Sequence, residues 1–214
     1  MAEDLHELVV KLSDQQFEQL YGPLARLDPS QAAVLLDGLG APWWVVGGWA
    51  IEAFTGHQRE HEDLDVCVLA CDVPLLLDHF IGTHHVWATG GGVLCPVSSV
   101  DQRLPRWMNQ IWIRETATEP WLLDVIVTPD RDGQWVFQRD PTYADDLQSV
   151  TWRAHDGIVY QNPEITLAFK AAHARPKDTA DLEASLSKLT SAEKAWLAET
   201  VARLHRGHSW LSHF

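Results

Sequence analysis

The chain has 214 residues, 46% of them hydrophobic, which is enough for one domain, or for a larger domain with a small helical annex. Its 30 acidic and 16 basic residues give a formal net charge of −14. This charge argues against long nucleic acid as a partner and favours metal cations and polycationic small molecules, although acidity can also serve solubility alone. No apolar run reaches the roughly 20 residues that cross a membrane, and the acidic start of the sequence lacks a secretory signal, so we expect a cytoplasmic protein.

The first half of the sequence alternates between helical and strand-like patterns. Apolar residues recur at helical spacing in some segments, and β-branched or aromatic residues cluster beside glycines in others. The predicted elements are, in chain order, a helix over 4–20, a helix over 29–39, a strand over 43–46, a helix over 49–54, a strand over 64–69 and a helix over 74–80. Ser30 is the predicted N-cap of the second helix.

The second half predicts further strands and then a helical end. These elements are strands over 86–88, 110–115 and 121–127, a hairpin over 150–160, and helices over 163–173, 178–189 and 191–204. Asn162 followed by Pro163 is typical of a helix start. The sequence therefore predicts an α+β fold: a mixed sheet flanked by helices in a catalytic domain, 1–160, followed by a C-terminal helical subdomain, 161–214.

Two glycines, Gly47 and Gly48, lie directly between a predicted strand and a predicted helix. Glycine lets the backbone approach a ligand closely, and a helix start offers N–H groups with a partial positive charge. This arrangement predicts a phosphate-binding turn. Two glycines after a strand are also a common turn, so the prediction depends on the residues that follow.

Three aspartates complete the pattern. Asp63 and Asp65 lie at the start of the next strand, where alternation puts both carboxylates on one side, about 6–7 Å apart. Asp124 is the one charged residue of an otherwise apolar strand, where an unpaired carboxylate is costly. Together these groups predict a magnesium site with two ions, in which Asp124 is a ligand or takes a hydroxyl proton. The alternatives are a solvated Asp-x-Asp at a strand end and an Asp124 at a frayed strand terminus.

The cysteines, Cys67, Cys71 and Cys95, predict no metal centre. A second cysteine pair is missing from the sequence, and no histidine lies close to Cys95. We expect three buried, reduced thiols.

The segment from Gly47 to Asp65, which includes Gly56, Arg59 and His61, closely resembles the signature of the nucleotidyltransferase superfamily shared with DNA polymerase β. More narrowly, it is similar to the small aminoglycoside and lincosamide nucleotidyltransferases that confer antibiotic resistance. The run Arg-Pro-Lys-Asp-x-x-Asp-Leu at 175–182 also resembles this branch, where it helps join the helical part to the active site. The match is strong over 43–70 and weaker over 163–190. The spacing from Asp65 to Asp124 is long for the branch.

The resemblance implies a nucleotidyltransferase fold and a role for each motif. Gly47 and Gly48 would contact the triphosphate of ATP or another nucleoside triphosphate, and Arg59 would contact a phosphate. The metal ligands and catalytic residues that it implies are Asp63, Asp65 and Asp124.

Two lysines are further candidates for nucleotide binding. Lys170 and Lys177 stand out in a chain with few lysines, and either ammonium group could contact triphosphate oxygens. The alternatives are a solvated helix face or an ion pair with Asp178 or Asp181.

We therefore expect an enzyme that transfers AMP from ATP to a hydroxyl of a small cationic acceptor, such as an aminoglycoside or lincosamide, and releases pyrophosphate. One alternative is a toxin-like nucleotidyltransferase that modifies tRNA or protein. Another is a domain that binds nucleotide without catalysis. The net charge argues against tRNA, and the intact Asp63 and Asp65 argue against a non-catalytic domain.

Overall fold

The computed structural model describes residues 13–214, so most of the first predicted helix, residues 4–12, lies outside the described part. Within that part, the helices are α1 Asp14–Tyr21, α2 Pro29–Leu35, α3 Gly47–Thr55, α4 Val73–Phe80, α5 Leu147–Val150, α6 Pro163–Ala171, α7 Pro176–Leu186 and α8 Ser191–Leu204. The strands are β1 Trp44–Val45, β2 Asp65–Leu69, β3 His85–Gly90, β4 Val93–Val97, β5 Gln110–Arg114, β6 Leu123–Thr128, β7 Asp130–Arg131, β8 Gln134–Val136, β9 Ala144–Asp145, β10 Thr151–Arg153 and β11 Val159–Gln161.

The first of two compact units contains residues up to Trp43 together with Glu62–Pro129. Its strands are ordered β2-β6-β5-β3-β4. Strands β2 and β6 run parallel, and the other neighbours are antiparallel, so the sheet is mixed as predicted. The glycine-rich run after Thr89 forms the tight turn between β3 and β4, where Gly91 and Gly92 both have positive φ.

The second unit contains Trp44–His61 and Asp130–Phe214. Strands β10 and β11 form the predicted antiparallel hairpin, and β11 also pairs in parallel with β1 through Tyr160 and Val45. Strands β7, β8 and β9 form a separate antiparallel sheet. Helix α6 packs against α3, α7 and α8, so the C-terminal helices share a core with the helix that begins with the two glycines.

The α+β fold class with C-terminal helices is confirmed. Beyond residue 161 the regular structure is helical, and α8 has the predicted bounds. A domain boundary near residue 160 stays a prediction. No helix within residues 13–214 is both long and apolar enough to cross a membrane.

The predicted N-cap of α2 is wrong. Asp28 caps this helix, because its side chain accepts the backbone N–H of Gln31 at 2.9 Å. Pro29 fits the first helical position, so Ser30 falls inside the first turn, where its hydroxyl donates to Asp28. The helix also ends at Leu35, four residues earlier than the prediction.

The expectation of three buried thiols holds only for Cys67. All three cysteines are free, but Cys71 is exposed and Cys95 is partly exposed. Cys71 lies in the turn after β2, and Cys95 lies on β4, the edge strand of its sheet, so neither position is covered on all sides.

Candidate active site

Two of the predicted catalytic aspartates are direct neighbours on adjacent strands. Asp65 begins β2 and pairs in register with Asp124 on β6, because these two strands run parallel. Asp63 lies two residues ahead of Asp65 and is exposed, whereas Leu64 between them is buried. The alternation predicted for the Asp-x-Asp segment is therefore seen in the burial pattern.

Asp124 has only one of its carboxylate oxygens hydrogen bonded. Gln110 Nε2 donates to Asp124 Oδ2 at 2.7 Å across the β5–β6 pair. The other oxygen, Oδ1, is buried and has no hydrogen-bond partner among residues 13–214. Trp112 lies opposite Asp124 in the register of β5 and β6, and its indole Nε1 is likewise a buried atom without a partner in the described part of the chain. A half-satisfied buried carboxylate of this kind points to an external ligand.

The surroundings of Asp124 favour its protonated form. Burial raises the pKa of Asp124 well above its usual range, and the charge of Asp65 and, more weakly, that of Asp63 raise it further. The indole N–H of Trp112 and the amide of Gln110 lower the pKa, but less than burial and the charges raise it. The Trp112 effect is one of proximity, since its Nε1 completes no hydrogen bond. Asp124 is thus a candidate proton acceptor as well as a candidate ligand.

The donor set suits a hard divalent cation, although the ligands are not gathered around one point. Among residues 13–214, no group of three His, Cys, Asp or Glu side chains is arranged to hold a metal ion. Asp65 and Asp124 are adjacent, and Asp63 is near enough for its charge to act on Asp124. Their carboxylates provide oxygen donors of the type that magnesium prefers. The unpartnered Oδ1 of Asp124 fits such an ion, and the role of all three aspartates as metal ligands stays a prediction.

In the second unit, Gly47 and Gly48 form the first turn of α3 rather than a turn ahead of it. Gly47 has a φ of +69°, which glycine adopts far more readily than other residues. The N-cap residue Val46 is apolar and makes no side-chain cap hydrogen bond to the first N–H groups of α3. Glycine at 48 is required for space, because an added Cβ would lie 2.0 Å from Arg59 Nη2 and 2.9 Å from His61 Nδ1.

Arg59 lies against the start of α3 and is held there from two sides. Its Nε and Nη2 donate to Asp181 of α7 at 3.1 and 3.2 Å, a bidentate contact. Its backbone N–H donates to Glu52 Oε2 at 3.1 Å, and the same oxygen contacts His61 Nε2 at 2.7 Å. Trp49 stacks on the ring of His61, with centroids 4.0 Å apart. The guanidinium group thus has a fixed position beside the first turn of α3.

Of the two candidate lysines, Lys170 is engaged in ion pairs. Its ammonium lies 2.9 Å from Asp181 Oδ2 and 3.3 Å from Asp178 Oδ1, both on α7 and both buried. Arg175 donates a further hydrogen bond to Asp178 at 2.8 Å. These are the ion pairs named as the alternative for the lysines, and phosphate binding by Lys170 stays a prediction. Lys177 is half-buried in the first turn of α7, and its nucleotide contact also remains untested.

Sequence reasoning missed several residues that set this geometry, notably Gln110, Glu52 and the pairing of Asp181 with Arg59. Gln110 could have been found, since it begins the predicted strand over 110–115, which directly precedes the strand that carries Asp124. The Arg59–Asp181 contact joins residues 122 positions apart, and no local pattern signals it.

The comparison with protein families gives one match. Residues 30–82 match the model of the aminoglycoside-2''-adenylyltransferase family. This segment includes the two glycines, Arg59, Asp63 and Asp65, and it ends before Asp124. The comparison with curated proteins gives no match.

Two solved structures resemble the chain at low identity. The crystal structure of ANT(2'')-Ia in complex with adenylyl-2''-tobramycin aligns with 17% identity over 81% of this chain and 95% of that chain, with a TM-score of 0.49. The solution structure of ANT(2'')-Ia aligns with 15% identity over 87% of this chain and 97% of that chain, with a TM-score of 0.48.

Proposed function

We propose that the chain is a distant relative of the aminoglycoside-2''-adenylyltransferases, whose family model matches residues 30–82, and that it transfers AMP from ATP to a hydroxyl of an aminoglycoside. In this reaction the hydroxyl oxygen forms a bond to the α-phosphorus of ATP. The bond from that phosphorus to the departing pyrophosphate breaks, and the hydroxyl loses its proton.

The observation that carries the proposal is the pairing of Asp65 with Asp124, whose Oδ1 is buried without a partner. Asp124 is proposed to accept the proton of the attacking hydroxyl. A raised pKa makes a carboxylate a better base for a weakly acidic hydroxyl, provided that it is ionised when the substrate arrives. Asp65 and Asp63 supply negative charge beside Asp124, and this charge favours binding of a cation. A bound cation would in turn favour the ionised form of Asp124.

Magnesium is the proposed cofactor, with Asp63, Asp65 and Asp124 as its protein ligands and two ions as the expected number. When bound, it would neutralise triphosphate charge and lower the pKa of the acceptor hydroxyl. The aspartates fit this role in chemical type, since carboxylate oxygens are the ligands that magnesium takes most readily.

The first turn of α3 is the proposed contact for the triphosphate. Its N-cap residue Val46 makes no side-chain cap hydrogen bond, and Arg59, which fills the space beside Gly48, adds a positive charge next to this turn. Asp181 holds Arg59 by accepting hydrogen bonds from its Nε and Nη2, so the guanidinium group need not be ordered when nucleotide binds.

A polycationic acceptor fits the charge of the protein. A net charge of −14 attracts the ammonium groups of an aminoglycoside and repels polyanions. The same charge disfavours the toxin-like alternative with tRNA as the acceptor.

The test is incubation of the purified chain with ATP, magnesium and a panel of aminoglycosides and lincosamides, with tobramycin among them. Mass spectrometry should detect one added AMP on at least one aminoglycoside, with release of pyrophosphate. ATP binding without product on any acceptor would favour a non-catalytic nucleotide-binding domain. AMP transferred to tRNA or protein, but to no small acceptor, would favour the toxin-like alternative.

Two isosteric substitutions, one at the proposed site and one matched control away from it, extend this test. Asp65→Asn alters a proposed ligand, and Asp78→Asn alters an exposed carboxylate on α4 of the same unit. Transfer should be lost in the first variant and kept in the second. Equal activity in both would contradict the assignment of the site.

A further inference from the structure

Gln110 is the residue that decides which oxygen of Asp124 is available. It is the first residue of β5, two positions before the Trp112 that lies opposite Asp124 in the register. Its amide Nε2 donates to Oδ2 at 2.7 Å, and no other hydrogen bond of normal geometry from residues 13–214 reaches the carboxylate, although the indole N–H of Trp112 lies near enough to lower its pKa. The carboxylate therefore keeps Oδ2 engaged and Oδ1 unpaired.

A carboxylate in this position needs such a restraint. The last torsion of an aspartate side chain is broad, so packing alone fixes it weakly. The charges of Asp65 and Asp63 both act on Asp124, and repulsion from them favours rotation of an ionised carboxylate away from its neighbours. An amide N–H donor opposes that rotation without adding charge to the site.

We infer that Gln110 is a positioning residue that holds Asp124 by Oδ2 and so presents the ionised Oδ1 to a divalent cation. The inference deepens the proposed function, on which its link to AMP transfer rests, but its cation-binding part can be measured without any acceptor. Partners that orient metal ligands through a second hydrogen bond typically change metal affinity by roughly 10–100-fold when they are removed.

The side chain of Gln110 is long enough to reach Oδ2 of Asp124 and ends in a neutral N–H donor. A shorter residue or an acidic one would lack one of these properties. Asparagine is one carbon shorter, so its amide would fall short of Oδ2 from the same backbone position. Glutamate has the right length but replaces the donor with an acceptor and adds a fourth negative charge beside three aspartates.

The experiment compares Gln110→Met with Gln134→Met. Both substitutions remove an amide that donates to an aspartate, since Gln134 Nε2 donates to Asp146 Oδ1 at 3.1 Å in the second unit. Binding of Mn²⁺ to the full chain without nucleotide is followed by the electron paramagnetic resonance signal of free Mn²⁺. We expect Gln110→Met to weaken Mn²⁺ binding roughly tenfold or more and Gln134→Met to leave it unchanged. Thermal unfolding checks that each variant is folded, and Gln110→Leu replaces Gln110→Met if the latter is not.

The outcomes separate the inference from the proposed function. Weakened Mn²⁺ binding in the folded Gln110 variant supports the inference even if no aminoglycoside is adenylylated. Unchanged Mn²⁺ binding in that variant, or the absence of Mn²⁺ binding in the wild-type chain, overturns it even if AMP transfer is observed. With transfer established, a lower kcat at an unchanged KM for the acceptor is the kinetic result expected of a residue that acts through Asp124.

Discussion

At the scale of single residues, Asp124 differs from Asp63 and Asp65 in its surroundings. Asp63 lies just before β2 and is exposed, and Asp65 begins β2 and is partly exposed, while Asp124 has a buried oxygen without a partner among residues 13–214. The sequence predicted this difference, because a lone charge in an apolar strand needs a partner. It did not predict Gln110, because a polar residue at a strand end is common and carries no signal without the strand register.

Asp124 contributes a pH dependence to the stability of the chain. Because its pKa is raised in the folded state, folding takes up a proton at pH values between the unfolded pKa, about 3.9, and the higher folded pKa. The contribution of Asp124 to the stability of the metal-free wild-type chain therefore falls as pH rises through that window.

Asp124→Asn removes this effect, since asparagine does not titrate. We expect the variant and the wild type to melt together below about pH 3.9, and the variant to melt at the higher temperature as pH rises toward neutrality. Thermal unfolding in a chelator measures this difference, and Asp78→Asn is the control for loss of an exposed charge. A variant that melts below the wild type at neutral pH would contradict the account.

At the scale of elements, the helices of the second unit are joined by buried charges. Arg59, which follows α3, and Lys170 of α6 both pair with Asp181 of α7. The sequence identified the run of residues 175–182 as a motif, but it did not predict which residues pair with it. Ion pairs between residues far apart in the chain leave no local pattern. Short strands such as β7 and β9 were missed because two residues cannot display an alternation.

We expect Asp181→Asn to be strongly destabilising. Breaking a buried ion pair leaves an uncompensated charge and typically costs about 3–5 kcal/mol, less here to the extent that Arg59 can reach water. Urea unfolding gives the free energy of unfolding. The matched control is Asp140→Asn, whose partner Arg203 is half-exposed, and this variant should unfold much like the wild type. Equal losses in both variants would show that burial of the pair is unimportant.

At the scale of the whole molecule, the net charge could be read from the amino-acid composition alone. The excess of 14 negative charges favours a cationic acceptor, but a net charge gives no shape, and so the sequence could not select one aminoglycoside. The fold class followed from the order of strands and helices. The division of the chain into units did not, because each unit combines two separate stretches of sequence.

We expect added salt to weaken binding of the aminoglycoside acceptor. Screening weakens the attraction between an acidic protein and a polycation, so raising NaCl from about 50 to about 300 mM should raise KM for an aminoglycoside at least about twofold. Steady-state kinetics at saturating ATP measures this effect, and kcat should change little. A KM that is independent of salt would contradict a role for the net charge.

The central claim is that Asp124 acts on the acceptor hydroxyl, and acceptor-dependent release of pyrophosphate tests it most directly. With magnesium, ATP and an aminoglycoside, Asp124→Asn should lower kcat by about a hundredfold or more, which is typical of losing a general base. The Asp78→Asn variant should retain wild-type turnover. A folded Asp124→Asn enzyme that releases pyrophosphate within about twofold of the wild-type rate would contradict the claim.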